Sequence, residues 1–257
     1  MRPPALVRIP IWRESRVALE HLALRRDPVL RGDGIPHGAG EPVMLVPGFL
    51  AGDRSLGTMA AWLTRIGYRP CRAEMRANVD CAERAAQRLE GALERNHARF
   101  GGPVAIVGQS RGGALARLLA VRRPELVSGV ITLGSPLTDQ LAVHPVVRAH
   151  VVGLGLLGTL GLPGVFSHGC LAGDCCTEAR EQAAAPFPAG VGFVSIYSKR
   201  DGIVDWRACL DSDAEHVEVS ASHIGMSGDA DTYRAIASAL RSFRRTGRAA
   251  RPLPRAA

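Results

Sequence analysis

The chain has 257 residues, 46% hydrophobic and 22% charged, which is enough for one substantial core and a common size for a single α/β domain. Its formal charge of +8 first suggests an anionic partner, but residues 241–257 carry Arg241, Arg244, Arg245, Arg248, Arg251 and Arg255 with no acid, leaving only +2 for everything before them. No DNA- or RNA-binding signature accompanies these arginines, so nucleic acid is excluded as the expected partner, and residues 247–257 read as a basic, disordered tail.

The first segment, "MRPPALVRIPIWRESR", has no unbroken apolar core of signal-peptide length and no small-residue cleavage site. The expectation is a cytoplasmic chain, with peripheral membrane contact through its basic termini as a second reading. Residues 14–26 have apolar positions at helical spacing and are stopped by Asp27-Pro28, so residues 1–40 are expected to form an arm with one docking helix. The apolar run 41–52 predicts a strand ending in the Pro47-Gly48 turn, residues 55–67 a helix, residues 68–75 a short strand and residues 80–100 a long helix.

After Gly101-Gly102, "PVAIVGQS" (103–110) predicts a buried strand, residues 112–124 a helix closed by Pro124, and "VSGVITLGSP" (127–136) another strand. Residues 137–188 lose the strand signal and become rich in glycine, proline and cysteine, as an insert within a domain spanning 41–246. The sheet resumes with 191–198 and 215–222, and residues 229–245 form the last helix. Strands alternating with helices define an α/β class with a mostly parallel central sheet flanked by helices.

The insert includes "VVGLGLLGTLGLPGVF" (151–166), too short for a bilayer and broken by Pro163. Two readings stay open for its apolar residues: a lid that receives an acyl chain, or a packed cap in which they are core. On the lid reading the substrate-binding candidates are Leu157, Leu160 and Phe166, with Leu50 from the first strand's turn. The six cysteines are Cys71, Cys81, Cys170, Cys175, Cys176 and Cys209, and without an export signal they are expected to be buried or reduced thiols, with pairing left open. "SHGCLAGDCC" brings His168 close to three of them in sequence but does not repeat a CxxC spacing, so no metal is expected.

Gly108-Gln109-Ser110-Arg111-Gly112 is a G-x-S-x-G between a predicted strand and a predicted helix, the context in which a sharp turn lifts a serine oxygen above a sheet. A serine hydroxyl needs a base, and the base an orienting acid, on later loops at the carboxyl ends of strands. Asp201 follows the strand 191–198 directly, ahead of Asp205, Asp211 and Asp213. His223 follows the strand 215–222. The other histidines fall on the arm (His21), a polar helix (His97), the insert (His144, His150, His168) or a strand's start (His216). Donors for an oxyanion are available as the backbone amides of Phe49 and Arg111.

In order, "VPGF", "IVGQSRGG", "VITLGSP", "VSIYSKRDGIVD" and "VEVSASHIGM" resemble the small bacterial class 2 type lipases of the α/β-hydrolase superfamily over residues 41–245. The resemblance implies an α/β-hydrolase fold with Ser110, Asp201 and His223 as triad, Phe49 and Arg111 at the oxyanion hole, and no cofactor. It departs at Pro47, often histidine in such lipases, at Arg111, often methionine or leucine, and in the longer insert. The expected activity is hydrolysis of lipid-like carboxylic esters. Acyl transfer or thioester hydrolysis on the same triad is the nearest alternative, and a non-catalytic fatty-acyl binding protein is an alternative of a different class.

Overall fold

A computed structural model describes residues 9–172 and 176–249. After α1 (Val17–Arg26) the chain builds six strands, β1 (Pro42–Val46), β2 (Arg69–Arg72), β3 (Val104–Gln109), β4 (Val127–Leu133), β5 (Gly192–Tyr197) and β6 (Glu215–Glu218). They form one all-parallel sheet in the order β2-β1-β3-β4-β5-β6. Parallel neighbours need crossovers, and α2 (Gly57–Arg65), α3 (Ala82–Phe100) and α4 (Arg111–Arg122) supply them, with α8 (Ala230–Ala249) closing the chain. The predicted strands are present but shorter than their apolar runs. β1 stops at Val46 and β6 at Glu218, because the residues after them turn away into loops.

Side chains alternate across a strand, so each central strand feeds two cores. Val43, Leu45, Ala105 and Val107 pack with Trp62, Leu63, Tyr233 and Leu240 of α2 and α8; Met44, Val46, Val104 and Ile106 pack with Leu89, Leu93, Leu115 and Leu119 of α3 and α4. Burial on both faces explains why β1 and β3 read as unbroken apolar runs. The arm is part of this structure. Its Leu24 and Val29 are buried in the first core, and the Trp62 indole N–H donates to the Val29 carbonyl at 2.9 Å.

The insert is helical, with α5 (Pro145–Thr159), α6 (His168–Ala172) and α7 (Thr177–Ala183). Gly153, Gly155 and Gly158 obscure α5 in the sequence, since each glycine weakens a helix by about 1 kcal/mol against alanine. Its N-terminus is instead secured by Pro145 and by the His144 ring, which accepts the Val146 N–H at 3.2 Å. The cap is fastened along its length. His144 N–H donates to Ile203 O at 2.7 Å and Asp205 N–H to Ala142 O at 2.9 Å, while Phe166 N–H donates to Val79 O at 2.9 Å.

At the cap's far end, buried Arg117 of α4 donates to Asp211 at 2.6 Å and to the carbonyls of Ala183 and Ala185 at 2.7 and 3.1 Å. Removing one partner of a buried ion pair strands the other charge, so Arg117→Ala is expected to lower unfolding free energy by about 3–5 kcal/mol. Urea denaturation beside the exposed control Arg148→Ala checks this. Equal midpoints for the two variants would show that the pair holds nothing.

α8 continues through Ala249, three residues into the segment 247–257 expected as a disordered tail, as its arginine and alanine content favours. Residues 250–257 and Cys175 lie outside the described residues. No described helix is long and apolar enough to cross a membrane.

Candidate active site

β3 passes into α4 through Ser110, whose backbone has φ 52° and ψ −124° and whose N–H donates to Leu133 O at 2.8 Å. A non-glycine residue held there costs about 1–3 kcal/mol, which the packed neighbours must offset. The glycines of the motif are a steric requirement. A Cβ on Gly108 would stand 2.5 Å from Gly112 O, and one on Gly112 would stand 2.3 Å from Val46 O. The turn therefore lies so close to the end of β1 that only bare backbone fits.

The two loops expected to hold the acid and the base meet beside it. His223 Nδ1 lies 2.7 Å from Asp201 Oδ2, the carboxylate accepting the ring N–H, and both residues are buried. Asp201 Oδ1 also accepts the N–H groups of Ile203 and Val204 at 2.8 and 2.7 Å, which fixes the carboxylate. Two links bring the pair to Ser110. Gln109 Nε2 donates to His223 O at 3.2 Å, and Gly134, next to Leu133, backs the pair so closely that a Cβ there would lie 3.0 Å from both Asp201 Oδ2 and His223 Nδ1. Burial works against imidazolium, but the charge and hydrogen bond of Asp201 and the charge of Glu14 outweigh it and raise the His223 pKa above 6.5.

The rival residues are occupied elsewhere. Asp205 caps the turn Trp206–Cys209 through Arg207 N–H, Asp211 pairs with Arg117, and Asp213 accepts the Phe187 N–H at 2.9 Å. His216 Nε2 meets Asp211 O at 2.8 Å, His150 Nδ1 meets Val146 O at 2.7 Å, and His144 caps α5.

Sequence reasoning missed two acids on the arm. Glu14 accepts three backbone N–H groups, those of Gly202, His223 and Ile224, each at 2.9 Å. Glu20 accepts Ser222 N–H at 3.0 Å and the Ser222 hydroxyl at 2.6 Å. The loops on either side of the Asp201–His223 pair are therefore bound together by one carboxylate, more than 180 residues away in the chain. A Cβ on Gly225 would lie 1.7 Å from Glu20 Oε2, which shows how closely the arm seats. In sequence these glutamates look like any polar helix face, and no local signal marks them.

The first loop closes the other side. A Cβ on Gly48 would stand 3.3 Å from Ser110 Cβ, so Gly48-Phe49 runs directly past the serine. Phe49 bridges to Asn78, whose Nδ2 donates to Pro47 O at 2.8 Å. Arg111 Nε donates to Asn78 Oδ1 at 3.0 Å and Nη2 to Asp80 O at 2.5 Å, so the unusual arginine after Ser110 braces this loop. Phe166 is buried against Phe49 with ring centroids 6.3 Å apart, and the Arg111 guanidinium lies 5.8 Å from its ring centre. Phe166 thus joins the residues carrying both expected oxyanion amides. Leu50, with φ 61°, is exposed, as are Leu157 and Leu160 of the cap.

No protein-family model matches the sequence, and no curated protein matches it. Solved structures resemble it at low identity. The mature lipase BlEst2 of Bacillus licheniformis superposes with a TM-score of 0.59 at 16% identity, covering 82% of this chain and 96% of that one. A monoacylglycerol lipase of Paleococcus ferrophilus gives 0.55 at 18% identity over 80% of this chain and 97% of that one. A metagenome-derived lipolytic enzyme gives 0.55 at 16% identity over 82% and 96%. With six parallel strands flanked by helices and a serine turn at the end of β3, the chain has the α/β-hydrolase fold.

Proposed function

We propose that the protein is a serine hydrolase that cleaves carboxylic esters of lipid-like substrates through an acyl-enzyme on Ser110. The observation that carries this reading is the buried Asp201–His223 pair, tied by Gln109 and Gly134 to a strained Ser110 at the N-terminus of α4. With Nδ1 engaged by Asp201, His223 keeps Nε2 as the base. It takes the Ser110 proton as Oγ attacks the ester carbonyl, and the backbone amides of Phe49 and Arg111 receive the oxyanion. The imidazolium, stabilised by Asp201, returns the proton to the departing alcohol. Water, activated by the same imidazole, then frees the acid and regenerates Ser110. This chemistry uses neither metal nor cofactor at the serine.

Two features support a lipid-like substrate. The cap leaves Val152, Leu156, Leu157 and Leu160 exposed, and Leu50 and Ile224 are exposed on the loops that carry Phe49 and His223, apolar side chains of the kind an acyl chain would meet. The similar solved structures include enzymes named as lipases. In the same reading Glu14 and Glu20 are positioning residues for the acid and base loops.

The test is intact-mass detection of a fluorophosphonate adduct on the wild type and on Ser110→Ala, with p-nitrophenyl esters of several chain lengths assayed in parallel. One adduct on the wild type, none on the variant, and turnover that grows with acyl length support the proposal. A folded wild type that neither labels nor turns over any ester would sink it in favour of a fatty-acyl binding protein.

A further inference from the structure

We propose that Cys81, Cys170 and Cys176 form a zinc site that pins the cap to the start of α3. Their Sγ atoms all lie within 4.8 Å of one another, and those of Cys81 and Cys176, 95 residues apart, lie 3.2 Å apart. The spacing within residues 167–176 lacks a zinc pattern because one ligand comes from a distant part of the chain, which the fold delivers. Zinc–thiolate bonds are about 2.3 Å long, so two sulfurs on a tetrahedral ion stand roughly 3.8 Å apart, and small side-chain rotations bring this cluster to that spacing.

Three converging thiols favour a metal over a disulfide, which would use two and leave the third. Charge favours it as well. Zn²⁺ binding three cysteines displaces three protons and leaves a net charge of −1, and the Arg111 guanidinium, hydrogen-bonded to the carbonyl of Asp80 immediately before Cys81, supplies the compensating cation. The hydrogen bonds of that cation go to neutral oxygens, Asn78 Oδ1 and Asp80 O, and the three cysteines lie close enough to act on its charge. The Ser167 hydroxyl stands 3.5 Å from Cys170 Sγ, a further hydrogen-bonding group at the sulfur. Cys81 and Cys176 are buried and Cys170 is partly open, leaving a fourth position for water or another donor.

The placement suits a structural ion. Cys81 precedes α3, Cys170 lies in α6 and Cys176 precedes α7, so one ion would clamp two cap helices to the body of the domain. Cys71 and Cys209 are different. They are buried away from the cluster, where loss of solvent pushes both thiols up, Cys71 to about 11.

The proposal stands apart from the ester-hydrolase reading, because its test measures metal and not turnover. The full chain is purified under reductant and loaded with Zn²⁺, and metal per chain is measured by elemental analysis. A second sample is loaded with Co²⁺ and scanned for thiolate-to-cobalt charge-transfer absorption. The expected result is about one zinc per chain and a charge-transfer band, both lost in the double variant Cys81→Ser, Cys170→Ser and kept in Cys209→Ser. The cobalt spectrum of the wild type decides the matter even if the double variant fails to fold. Reduced wild type that binds no more zinc than the double variant and shows no band would overturn the proposal. So would oxidised protein that is lighter by two hydrogens, with peptide mapping that joins Cys81 to Cys176, while its reduced form takes up no metal, an outcome that assigns the pair to a disulfide.

Discussion

Ser110→Ala, His223→Ala and the double variant are each expected to lower kcat on a p-nitrophenyl ester by about the same factor, on the order of 10⁶. The equality matters more than the size. A base with no hydroxyl to deprotonate and a hydroxyl with no base are equally idle, so the second substitution has nothing left to remove. In the proposed scheme what survives would come from the Phe49 and Arg111 amides and from substrate binding, worth roughly 10³–10⁴ over water. Asp201→Asn should fall by about 10⁴, since the amide keeps the shape of the side chain while losing the charge that holds the imidazole's tautomer and stabilises the imidazolium. Steady-state rates and circular dichroism on the four proteins check this. Losses that multiply in the double variant would mean that Ser110 and His223 act separately, and the acyl-enzyme scheme would have to be given up.

That experiment rests on residues found by local patterns. Gly108 and Gly112 bracket Ser110 because backbone contacts of 2.5 and 2.3 Å admit no side chain, so the requirement is written within five residues. Asp201 and His223 each follow a strand directly, and an all-parallel sheet gathers such loops at one end. β1 and β3 are buried on both faces and show as apolar runs, whereas α5 is hidden by its glycines and held by tertiary contacts. Nothing local marks Glu14, whose partners lie at residues 202, 223 and 224. The cysteine cluster was illegible for the same reason. Spacing within the insert speaks against a metal, and Cys81 enters only once α3 has packed. Residues that act alone on a turn are visible in sequence, and residues that act by joining distant turns are not.

Glu14→Gln tests the most distant of these joins. The variant keeps the size of the side chain but removes its charge and sets an N–H₂ group against three backbone donors, Gly202, His223 and Ile224. Their loops carry Asp201 and His223, and misplacing reacting groups by about 1 Å costs on the order of 10² in rate, so kcat should fall by about that factor while KM changes little. The pH profile separates this role from simple packing. As the proposed base His223 must be neutral, so kcat/KM is expected to rise with pH as the imidazolium loses its proton, with a midpoint above 6.5 because the carboxylates of Asp201 and Glu14 favour the charged ring. Removing the Glu14 charge lowers that pKa, and the acid limb should move to lower pH. Glu20→Gln loosens the neighbouring Ser222 without removing a charge that acts on the ring, so its rate should fall with the limb unmoved. If Glu14→Gln lowers the melting temperature yet leaves both kcat and the limb where they were, the arm only packs. If the limb shifts as expected, the first helical turns of this chain are part of the machinery that sets the basicity of His223.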